Sequence, residues 1–163
     1  MKQLIIGEKG FTFAEIIVVF GVVAMLFGLA YSSTMKAQQS TSLESAVLIL
    51  VSDIKNQQTN TMMGFTLGGL SASEYGVHFE LDSYTLFKGT TYNPSEQTNL
   101  VIDLPTNISF SNLTFPNSTI LFSKGSGEVS NYVSGSDTIT LLSNLSKSRT
   151  LRINKLGAII SQN

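Results

Sequence analysis

Few side chains in this 163-residue chain could do chemistry, and the most informative is a carboxylate among apolar neighbours. Glu15 is the single charge between Phe11 and Tyr31, a stretch otherwise made of apolar and small residues. A charge in such surroundings is costly unless it meets a partner of opposite sign, so Glu15 is a candidate for electrostatic pairing. The opposite chemistry gathers near the other end, where Lys147, Arg149, Arg152 and Lys155 fall close together. Such cations can neutralise phosphates, and Asp137 and Glu128 are carboxylates that could balance them instead. His78 is the one histidine, and it has no acidic partner arranged for proton transfer. The chain has no cysteine, so neither a thiolate metal site nor a thiol nucleophile exists. Asp53, Asp82, Asp103 and Asp137 are dispersed, without the spacing of a calcium loop. No catalytic centre, metal or cofactor is expected.

The elements that hold these residues follow from pattern. As a helix, Phe11 to Tyr31 would run roughly 32 Å at about 1.5 Å per residue, against a hydrocarbon core of about 30 Å. A membrane-spanning helix over residues 11–31 is therefore expected. Lys2 and Lys9 precede it and only Lys36 follows closely, which points to an N-terminus inside and the remainder exported. Gly21 and Gly28 fall close to one face, where a neighbouring helix could approach.

Beyond Tyr31 the helix is expected to continue to about Met63. Leu43, Ala46, Val47, Leu50 and Ile54 recur at helical spacing, while Lys36, Ser52 and Lys55 suit solvent. The first proline is Pro94, and Gly64 is a plausible stop. From Tyr75 the period changes to two. Strands are expected at Tyr75–Leu81, Tyr84–Phe87, Leu100–Leu104, Ile108–Phe115, Thr119–Phe122, Thr138–Leu142, Thr150–Ile153 and Ala158–Ser161, with turns at Gly125–Gly127 and Asn154–Gly157. The fold class is α+β: a long N-terminal helix packed on an antiparallel sheet or small sandwich. Charged residues make up 13% and net charge is −1, so no global field attracts nucleic acid.

The junction Lys9-Gly10-Phe11-Thr12-Phe13-Ala14-Glu15, followed at once by the apolar run, resembles the processing site of type IV prepilins and pseudopilins. The resemblance implies a leader of residues 1–10 removed by a prepilin peptidase, which cuts between Gly10 and Phe11. It implies that the new Phe11 ammonium pairs with Glu15 of a subunit already in the filament. It also implies a spanning segment at 11–31, a pilin-like domain at 32–163, and a single-pass inner-membrane location before entry into an extracytoplasmic filament. The partners implied are the peptidase, other pilin or pseudopilin subunits, an inner-membrane assembly platform, and membrane lipid before assembly.

The later chain is similar to the GspH/FimT group of minor pseudopilins and minor pilins, in the order Tyr75-Gly76-Val77, Tyr84–Phe87, Ile120–Phe122 before Gly125, then Leu151–Gly157. That group often carries arginine directly after the last hairpin glycine, whereas Ala158 follows Gly157 here. The function implied is structural: a minor subunit of a type IV pilus or type II secretion pseudopilus. Two alternatives stay open. One is a DNA-capturing minor pilin using Lys147, Arg149, Arg152 and Lys155, although no aromatic stacking platform accompanies the cluster. The other is a secreted β-rich protein with an ordinary signal cut before Tyr31, distinguished by its mature N-terminus.

Overall fold

In this computed structural model the described residues are 10–63 and 73–162, with the backbone alone at 29–40 and 161–162. The leader up to Lys9, the helix stop at Gly64 and the Gly68-Gly69 loop lie outside them. The chain divides into two compact units, Met1–Gln38 and Gln39–Asn163. Helix α1 covers Phe13–Met63, and its side chains are described in two stretches, Phe13–Gly28 and Thr41–Met63.

The first stretch corrects two expectations. Among the described residues, no helix is long and apolar enough to cross a membrane. The membrane-spanning first half over 11–31 is therefore not found, and the single-pass inner-membrane location that rested on it falls with it. What remains is a helical stretch with its apolar side chains exposed, including Phe13, Phe20, Met25 and Phe27.

The second unit is α+β. Thr41–Met63 buries one stripe: Leu43, Ala46, Val47, Leu50 and Ile54, as their spacing requires. The stripe continues into polar residues, Gln57 and Thr61, which are buried because each finds a partner. Gln57 donates to the Gly76 carbonyl at 3.2 Å, and the Thr61 hydroxyl donates to the Gln57 carbonyl at 2.9 Å.

Eight strands follow among the described residues: β1 Tyr75–Phe79, β2 Ser83–Lys88, β3 Leu100–Asp103, β4 Ile108–Leu113, β5 Thr119–Phe122, β6 Thr138–Ser143, β7 Ser148–Ile153 and β8 Ile159–Gln162. They form two antiparallel sheets, ordered β3-β2-β1-β5 and β4-β6-β7-β8. One core joins both sheets to the helix, from Leu50 and Ile54 to Val77, Ile120, Ile139 and Leu151. The sheets meet edge-to-face through Phe110, whose ring lies 5.3 Å from Phe79 and 6.5 Å from Tyr84. At the end of the helix, Gln58 Nε2 donates to the carbonyls of Gly127 and Leu156, both at 2.8 Å. Both expected glycine turns are thereby clamped to it. Gly127 and Gly157 have positive φ, and a Cβ at either would strike the Met62 or Gln58 side chain.

Sheet one has a second, smaller cluster on its outer face. His78, Thr85, Phe87, Thr119 and Leu121 lie there in register. Phe87 is buried because Gly76 opposite has no side chain; a Cβ at Gly76 would run into the Phe87 ring and come within 2.7 Å of the Ile120 carbonyl oxygen. Tyr92, from the loop after β2, completes the cluster.

Candidate functional site

Gly10, Phe11 and Thr12 precede the helix and are exposed, and a Cβ built on Gly10 would meet nothing. The Gly10–Phe11 peptide bond is thus accessible and outside regular structure, as a peptidase requires. Thr12 then takes the N-cap position. Its hydroxyl accepts from the Glu15 backbone N–H at 3.3 Å, and Glu15 Oε2 accepts from the Thr12 N–H at 2.9 Å and the Thr12 hydroxyl at 3.0 Å. This is a capping box, in which residues three apart satisfy each other's free helix-end donors. The hydrogen bonds from the Thr12 backbone and hydroxyl hold the Glu15 carboxyl below the ordinary carboxylate range, so it stays ionised. The signal in the sequence for this partnership is the Thr-x-x-Glu pattern of Thr12 and Glu15.

The structure does not gather the four C-terminal cations on one face. Arg149 shares the inward parity of Leu151 and Ile153, and its Nε donates to Glu44 of the helix at 3.2 Å. Arg152 has the opposite parity and donates to Asp137 Oδ2 at 3.0 Å. Asp137 was a foreseen partner; Glu44, distant in sequence, was not. Lys147 precedes β7 and also has a partner. Lys155 is exposed in the turn after β7. The two arginines are thus engaged on opposite faces of one strand.

His78 is half-buried on the outer face of sheet one. Its ring stacks on Tyr92 with centroids 4.0 Å apart and planes 14° from parallel, and Nδ1 lies 2.9 Å from the Thr119 hydroxyl. Burial pushes the imidazole below its ordinary range, with Glu80 pulling weakly the other way. Elsewhere, the buried Tyr84 hydroxyl donates to Asp53 Oδ2 at 2.6 Å. Burial first, and then that carboxylate, push Tyr84 well above the ordinary range for a phenol.

Comparison with family models, curated proteins and solved structures returns no match for this chain.

Proposed function

We propose that this chain is a minor structural subunit of a filament of the type IV pilin and pseudopilin kind, cut between Gly10 and Phe11 by a prepilin peptidase and joined to other such subunits through the helix that follows. One observation carries the reading. An accessible Gly-Phe bond is followed by an ionised, helix-capping Glu15 and then by apolar side chains left exposed along Phe13–Gly28. Exposed apolar surface of that extent calls for a covering partner. Helices of other subunits provide one, and a Phe11 ammonium provides the counter-charge for Glu15.

The capping box sets a rival role for Glu15, and one substitution separates the two. Glutamine serves at this position of a capping box nearly as well as glutamate but carries no charge. On the pairing account, Glu15→Gln and Glu15→Ala are both cleaved and both fail to enter filaments. Thr12→Ala, which weakens the cap by about 1 kcal/mol, still enters. Quantifying each variant in sheared filaments checks this. Normal incorporation of Glu15→Gln beside failure of Glu15→Ala would assign Glu15 to capping alone.

A further inference from the structure

A groove of about 280 Å³ opens on the outer face of sheet one, beside His78, Tyr92, Thr91, Asn131 and Leu121. We propose that it binds a neutral pyranose sugar.

The lining selects this chemistry in three ways. First, among the described residues no carboxylate, lysine or arginine lines the groove, so none of them would neutralise a charged ligand. Second, the polar groups offer both donors and acceptors in fixed orientations. The single Thr119 hydroxyl proton is donated to the Asn117 carbonyl at 2.9 Å. With that bond made, the contact with His78 is donated by Nδ1–H, the tautomer in which Nε2 of the neutral ring is an acceptor. Asn131 is oriented by both ends: Oδ1 accepts from the Leu121 N–H at 3.2 Å and Nδ2 donates to the Thr119 carbonyl at 2.7 Å. Its second N–H is still available. An imidazole acceptor, an amide donor and the exposed Thr91 hydroxyl suit a ligand with several hydroxyls, each both donor and acceptor, as a sugar has.

Third, the apolar part is rigid. Tyr92 is held against His78 and tilted onto Phe87, with ring centroids 5.5 Å apart. An aromatic already ordered loses little freedom when the C–H face of a sugar ring meets it. The volume lies at the lower edge of small-molecule sites, which suits one ring better than a drug-sized ligand. This proposal does not depend on filament assembly.

His78 is the only histidine, so its imidazole NMR lines are a unique reporter inside the groove. The full-length protein is titrated with methyl α-D-glucopyranoside, methyl α-D-galactopyranoside, methyl α-D-mannopyranoside and N-acetylglucosamine. Each is carried to about 10 mM, some tenfold above a Kd of about 1 mM. At least one sugar is expected to move the His78 lines saturably, and Tyr92→Ala is expected to abolish the shift. Thr91→Val, at an exposed position, keeps the fold and is expected to weaken binding about threefold or more through loss of one hydrogen bond. The proposal is overturned if no sugar moves the His78 lines. It is equally overturned if Tyr92→Ala, shown folded by circular dichroism, binds unchanged, or if Thr91→Val keeps full affinity.

Discussion

Removing the Arg152 side chain should cost far more than its surface position suggests. The Arg152 side chain is 51% exposed, but the Asp137 side chain it meets is only 3% exposed. Asp137 Oδ2 has one other side-chain contact, the Tyr132 hydroxyl at 3.4 Å. An ion pair broken on one side costs about 3–5 kcal/mol when fully buried and about 0–1 kcal/mol when exposed. Water can follow into the space left by a half-exposed arginine, so Arg152→Ala should lose about 2 kcal/mol, between those limits. For a domain of this size, that lowers Tm by about 6–10 °C. The double variant Arg152→Ala with Asp137→Asn should be more stable than Arg152→Ala alone, because a neutral amide buries more cheaply than an unpaired carboxylate. Urea unfolding of the two singles and the double closes the cycle. A loss under about 0.5 kcal/mol for Arg152→Ala, or strict additivity in the double, would refute the pairing argument. Charge reversal at Arg152 is consequently a poor test of nucleic-acid binding, since it would damage the fold before it reported on a surface.

Two pH effects follow from buried groups. Below about pH 6.5 the unfolded chain protonates His78 while the folded chain resists, so stability should fall with decreasing pH down to the lowered folded pKa. Urea midpoints at about pH 7.5 and 5.5 measure this, and His78→Phe should flatten the slope; the same slope in that variant would contradict it. Tyr84 is held neutral in the fold while the unfolded chain ionises above about pH 10, so stability should drop as pH rises past that point. Tyr84→Phe should cost about 1 kcal/mol at neutral pH. That gap should narrow in alkali, and a constant gap would reject the account.

Much of the second unit was legible because its signals are local. The apolar stripe from Leu43 to Ile54 and the alternation in β1, β5 and β6 each announce one buried face. The strand bounds fall within a residue or two of those expected. What was not legible depends on residues far apart in the chain. Glu44 and Arg149 meet only because the helix lies against β7. Gln57 and Gln58 look like solvent residues until the Gly76, Gly127 and Leu156 carbonyls are brought to them. Nothing local marks Tyr92, and only the register of β1 against β2 and β5 brings His78 and Phe87 together beneath it. The spanning helix failed for another reason. It rested on a count of apolar letters from Phe11 to Tyr31, and among the described residues no helix is long and apolar enough to cross a membrane.

The junction before that helix carries the functional reading, and mass spectrometry of the chain recovered from the cells that make it puts it to the test directly. The account predicts a polypeptide whose first residue is Phe11. An intact Met1, or a chain beginning at Tyr31, would contradict it.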